Sequence, residues 1–358
     1  MRLLHRCFGF AERRRQLADG ARPNSDIAIL SSPETLRQPS AGSWRVDEDT
    51  LRGAYLALIE DGLTADILFD ADTREHLQRY SALVVPEQAY LTRDAAGAIR
   101  DYVRNGGAVV ITGCLPMAVD SQEPSTAADK TTFEEIAGLK NQGQYDWKLG
   151  YMLLRGTEAE AFWRDGDDFR PPLPVPGKPA RVAANGAQTL APLTAPGESF
   201  QLGALPPGET LSAPAIAVNG FGKGTVIFCA LPLSADIWNR GNPGAKYVLQ
   251  KMVRRVVRNL TAERLDPASV QMFRSEKKGS TLLHLVSYQP GRRTSRPQAV
   301  ERPAAVNGVS VRLKDSRKPK RVLIEPGGRP LAAVAEAGWL TVSVPEFHIH
   351  AAVVFEWV

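Results

Sequence analysis

The sequence predicts an open α/β sheet followed by a smaller all-β sandwich. Three observations point there. Short apolar runs alternate with helix-like periodicity up to Cys114, an amphipathic helix pattern closes that half near Leu260, and only strand patterns follow. The 26 prolines and 30 glycines fall mostly between apolar runs, which favours many short elements over a helical bundle.

Residues 1–24 read as a linker helix. Leu3, Leu4, Phe8 and Phe10 are apolar, Glu12 to Arg15 are charged, and Gly20 and Pro23 end it. Asp26 to Leu30 is a first strand. Leu51, Tyr55, Leu58 and Ile59 then form one face of a helix that Gly62 stops, and Ala65 to Phe69 is the second strand.

Tyr80 to Cys114 is a complete strand-helix-strand unit. Ala82 to Val85 is closed by Pro86, Thr92 and Asp94 begin a helix that buries Ala95, Ile99, Tyr102 and Val103, and Asn105-Gly106-Gly107 ends it. Ala108 to Ile111 is the returning strand, parallel to the first through a right-handed crossover. The combined β-α-β-β-α-β order is that of an open, flavodoxin-like sheet.

The pattern degrades between about residues 115 and 214, through the proline-rich RPPLPVPGKP at 170–179 and isolated short strands around Ala180 to Val182 and Gln188 to Leu190, and is read as a long irregular excursion from the sheet. A hairpin of Ala215 to Val218 with Thr225 to Leu231 restores regularity. Tyr247, Leu249, Met252, Val253, Val256, Val257 and Leu260 share one helix face. Beyond Asp266-Pro267 come strands alone: Thr281 to Val286, Val309 to Leu313, Arg321 to Ile324, Trp339 to Val344 and His350 to Trp357. The expected domains are therefore the linker helix, an α/β domain over 25–262 and an antiparallel sandwich over 268–358.

Composition narrows the function. The chain has 358 residues, 43% hydrophobic and 23% charged, which is ordinary for a globular protein. Its 44 basic and 39 acidic residues leave a net charge of +5, too small for a continuous basic face, so nucleic acid is not an expected partner. Local clusters at Arg13 to Arg15, Lys277-Lys278 and Arg317 to Arg321 read as solvated surface. The three cysteines are far apart and form neither a disulfide framework nor a CxxC motif. No signal-peptide h-region and no membrane-length apolar run is visible, so a cytoplasmic location is the default expectation.

The passages SALVVPEQAYLT, YVRNGGAVVITG, NGFGKGTVIFCALPL, the helix from Lys246 to Leu260, LLHLVSY, RVLIEPGG and VPEFHIHAAVVFEW carry a resemblance. The chain resembles the region that follows the catalytic barrel in family 42 β-galactosidases and related glycoside hydrolases. That region is a class I glutamine-amidotransferase-like trimerisation domain with a C-terminal β-sandwich. In such enzymes two barrel glutamates do the chemistry. Here Glu60, Glu87 and Glu325 lie on a predicted helix end, a loop and a sandwich strand, with no reason to converge. The resemblance thus implies a non-catalytic oligomerisation and accessory portion of a glycoside hydrolase. Its partners would be copies of itself, a barrel-bearing glycosidase chain or carbohydrate, with no membrane and no cofactor.

Cys114 is the candidate for the alternative, an amidotransferase-like hydrolase, because it follows a strand where such enzymes place a nucleophile. No histidine falls in the stretch where its base is expected, and Leu115-Pro116 replaces the small residue of a tight elbow. Glu346, His348 and His350 alternate and would share one face of a strand, the best metal candidate. Gly222-Lys223-Gly224-Thr225 lacks P-loop spacing and reads as a hairpin turn. Asp165, Asp167 and Asp168 lack the spacing of a Ca²⁺ loop. Trp44 and Trp238 are the candidate contacts for a sugar or a protein neighbour, which leaves a carbohydrate-binding module as a further alternative.

Overall fold

The computed structural model describes residues 2–37, 45–120, 129–163, 171–198, 205–266, 270–287 and 303–358. The expectations for Trp44 and for the aspartates at 165, 167 and 168 fall outside these residues. Two compact units form: residues 27–58 with 66–259, and residues 1–26 and 59–65 with 260–358. The N-terminal helix, Arg2–Ala18, therefore groups with the C-terminal strands.

The first unit is built on a nine-stranded sheet. Ile27–Ser31, Ala82–Pro86, Ala108–Thr112 and Gly224–Cys229 run parallel side by side, with Ala65–Phe69 on the outer edge beyond Ile27–Ser31. Numbered along the chain, these five strands lie in the order 2-1-3-4-5, so the order reverses between Ile27–Ser31 and Ala82–Pro86. The β-branched runs suit strands whose every residue is buried.

Period-2 alternation divides the strand residues between two faces. Leu83, Val85, Val109 and Ile111 join a core with Ile99, Tyr102 and Val103 of the helix Arg93–Arg104. The helix Pro243–Val256 packs on the sheet through Val248, Leu249, Met252 and Val253, all fully buried. Thr92 caps the first of these helices by accepting from the Ala95 amide at 3.2 Å, and Asn242 caps the second by accepting from Gly244 and Ala245. Each cap is worth about 1 kcal/mol.

Two sequence expectations are corrected here. In the helix Arg45–Glu60 the buried residues are Thr50, Gly53, Ala54, Ala57, Leu58 and Ile59, so Leu58 and Ile59 are buried as expected while Leu51 and Tyr55 stay partly exposed. Small residues predominate among them because the helix closes on backbone: a β-carbon on Gly53 would sit 1.8 Å from the Ser234 carbonyl oxygen. The region 115–214 is only in part an excursion: Met117–Val119, and the pair Leu139–Gln144 with Ala180–Ala184, stand apart from the nine-stranded sheet, while other segments rejoin it. Its strands Leu149–Met152, Leu173–Pro176 and Gln188–Pro196, with Pro207–Phe221, continue the same sheet antiparallel. The proline-rich LPVP forms the outermost strand, where missing amide donors cost least.

The second unit is an antiparallel sandwich. One sheet carries Val270–Lys277, Ser280–Ser287, His350–Trp357 and Pro319–Glu325, and the other Ala262–Arg264, Val309–Lys314, Trp339–Val344 and Val334–Glu336. Their inward residues, among them Met272, Leu283, Val311, Val342, Val353 and Phe355, make a single core. No helix among the described residues is long and apolar enough to cross a membrane.

Candidate active site

Ligand sites in open parallel sheets form beyond the carboxyl ends of the strands, where the order reverses. A cavity of about 570 Å³ lies there. Thr35 and Leu36 follow strand Ile27–Ser31, Glu87 follows Ala82–Pro86, Gly113 and Cys114 follow Ala108–Thr112, and Pro232 and Ala235 follow Gly224–Cys229. The later segments supply Lys130, Asn141, Gln144 and Lys178.

Behind this cavity the strand ends are tied by a buried polar network. Ser32 donates to Asp70 at 2.6 Å, the Thr92 amide donates to the same carboxylate at 3.0 Å, and Gln88 accepts from the Ser32 amide at 3.0 Å. Every one of these groups is matched, so the network rigidifies the rim instead of adding a buried polar penalty.

Glu87 is the carboxylate lining the cavity. Its backbone takes φ 51°, the left-handed region that side chains rarely adopt, and this turns the carboxylate back onto the protein. Thr112 donates to Oε1 at 2.7 Å, and the amides of Ser234 and Ala235 donate to Oε1 and Oε2 at 3.1 Å each. Those amides open the helix Leu233–Arg240, whose dipole also favours the anion. Burial outweighs these donors and pushes the carboxyl up to about 7.

Cys114 stands in the same cavity, partly exposed. It is not on a strand-to-helix elbow: Gly113 takes the positive φ of 78°, and the chain continues into the short strand Met117–Val119. Burial, then the charge of Glu87, pushes the thiol up to about 12. Among the described residues lining the cavity there is no imidazole and no second carboxylate. A thiol in that setting is a poor nucleophile at neutral pH.

The other candidates are scattered. Glu60 and Glu325 belong to the sandwich unit. Glu346 and His348 lie in the connection before the last strand, so the expected alternation on one strand face is not realised, and only His350 is in that strand. His350 Nε2 meets His284 Nδ1 at 3.2 Å, and no group of three metal-ligating side chains forms among the described residues. Trp238 is 43% exposed on the helix Leu233–Arg240, with the Arg52 guanidinium 5.2 Å from its ring centre. Sequence reasoning missed Thr35, Lys130, Asn141, Gln144 and Lys178 as residues that line the cavity with Glu87. The one legible signal was a glutamate directly after an apolar strand.

A family model described as the beta-galactosidase trimerisation domain matches residues 30–168. No curated protein matches the sequence. Among solved structures, α-L-fucosidase isoenzyme 2 from Paenibacillus thiaminolyticus is similar with a TM-score of 0.78 and 18% identity, over 98% of this chain and 51% of that one. A β-galactosidase from Bacillus circulans sp. alkalophilus gives 0.62 at 14% identity, over 99% and 45% of the two chains. A β-galactosidase from Halorubrum lacusprofundi gives 0.53 at 14% identity, over 97% and 42%. The chain spans about half the length of these structures, and at such identities the likeness is one of fold.

Proposed function

We propose that this chain is a non-catalytic oligomerisation and accessory portion of a glycoside hydrolase, with a flavodoxin-like, class I amidotransferase-like unit beside a β-sandwich. The observation that carries the reading is the state of Glu87. Hydrolysis of a glycosidic bond uses two carboxyl groups facing each other across the sugar, about 5–9.5 Å apart. Glu87 is the lone carboxylate among the described lining residues, and three donors already hold it. The trimerisation-domain match over residues 30–168 and the shared fold with glycosidases support the association.

The partner is a second copy of this chain or a barrel-bearing glycosidase polypeptide. Trp238 is the contact we assign, because an exposed indole beside a guanidinium suits a protein neighbour. Light scattering of the purified chain, alone and with a glycosidase barrel, tests this. The expected result is an oligomer or a mixed complex that Trp238→Ala weakens. A monomer indifferent to the barrel, or galactoside or fucoside turnover lost on Glu87→Gln, would overturn it.

A further inference from the structure

The basic cluster from Arg317 to Arg321 lines a concave surface. A second cavity, of about 740 Å³, lies in the sandwich unit between the strand Pro319–Glu325 and the hairpin that carries Val334–Glu336 and Trp339–Val344. Arg317, Lys318, Lys320 and Arg321 line it against the two carboxylates of Asp315 and Glu336. Arg317 pairs with Asp315 at 2.8 Å and Arg321 with Glu356 at 2.7 Å. Lys318 and Lys320 are exposed and make no ion pair among the described residues. Outside the cavity lining, Lys314 and Arg312, the latter paired with Glu263, stand 5.9 and 4.3 Å from the ring centre of Trp339.

We propose that this groove binds an acidic polysaccharide, a chain of uronate-type sugars. Two unneutralised ammonium groups and two guanidinium groups with free N–H donors present charge-assisted partners for carboxylates. Leu331 and Ala333, half-buried on the groove floor, offer an apolar surface to the C–H face of a pyranose ring. Single-stranded nucleic acid binds by stacking bases on open aromatic rings. Here the lining indole, Trp339, is approached by Arg312 and Lys314, and Trp357 is covered by Arg317 at 4.3 Å. The cavity volume suits a few sugar rings. The choice of a glycan among polyanions rests on the glycosidase reading above.

Calorimetric titration of the full chain with polygalacturonate oligosaccharides, neutral galactan oligosaccharides and a DNA duplex tests the groove. The uronate chains bind and the neutral ones do not. Displacement of counterions from the uronate chain by two lysines makes binding weaken roughly tenfold between about 50 and 200 mM salt. The double variant Lys318→Glu with Lys320→Glu loses the binding while its melting curve is unchanged, since both side chains are exposed. Absence of binding at low salt, binding unaffected by the double variant, or equally tight binding of the duplex overturns the proposal. The titration needs no partner, so a monomer that binds uronates refutes oligomerisation alone, and an oligomer that binds none refutes the groove alone.

Discussion

A β-carbon on Gly113 would lie 2.4 Å from Cγ of Glu87. The two residues follow neighbouring parallel strands, and each occupies the left-handed region, Gly113 at φ 78° and Glu87 at φ 51°. The glycine leaves the space that the Glu87 side chain occupies, so the carboxyl lines the cavity as it does because residue 113 lacks a side chain.

Gly113→Ala is therefore expected to destabilise the protein by roughly 2–4 kcal/mol, combining backbone strain with overlap on Glu87. Gly143→Ala is the control. Its φ of 98° carries the same kind of strain with nothing within 4 Å of the new carbon. Urea unfolding of both variants separates the two causes, and equal losses would show that the Glu87 contact does not matter.

Glu87 also sets a pH dependence. Its carboxyl is raised from 4.5 to about 7 in the folded protein, so the native state holds its proton more tightly than the unfolded chain. This contribution is present in full below pH 4.5, declines as pH rises towards 7 and is absent above it, a change of about 3 kcal/mol. Glu87→Gln should flatten that part of the stability profile between pH 5 and 7. A profile identical to that of the parent would mean the carboxyl titrates normally.

Cysteine labelling distinguishes an inert Cys114 from an activated one. Cys7 is exposed, whereas burial pushes Cys114 and Cys229 up to about 12. Iodoacetamide at pH 7.5 should modify Cys7 first, and Cys7→Ser should abolish the fast phase. Rapid modification of Cys114 in the folded Cys7→Ser protein would restore the amidotransferase-like reading.

Much of the fold was legible because its signals are local. The strand ending at Pro86, the Thr92 cap, and the buried set Ala95, Ile99, Tyr102 and Val103 followed from spacing and capping chemistry alone. The strand at 173–176 was not legible, and of 188–196 only the start, Gln188 to Leu190, read as a strand. Both contain prolines, and their place in the sheet is set by pairing with other strands and not by a pattern of their own. The strand face expected for Glu346, His348 and His350 failed for a related reason: alternation orients side chains only where backbone pairing holds the segment extended, and the pairing begins at His350.

Outside residues 115–214 the sequence by itself determined the main element types, their order and the split between an α/β half and a β half, because periodicity, caps and turn residues act within a few positions. Only the tertiary structure decided which carboxylate meets which amide, that Cys114 stands beside Glu87 without an imidazole, and that the cations from Arg317 to Arg321 surround a hollow. Electrostatic environment is a property of distance and burial, and both are created when remote segments pack.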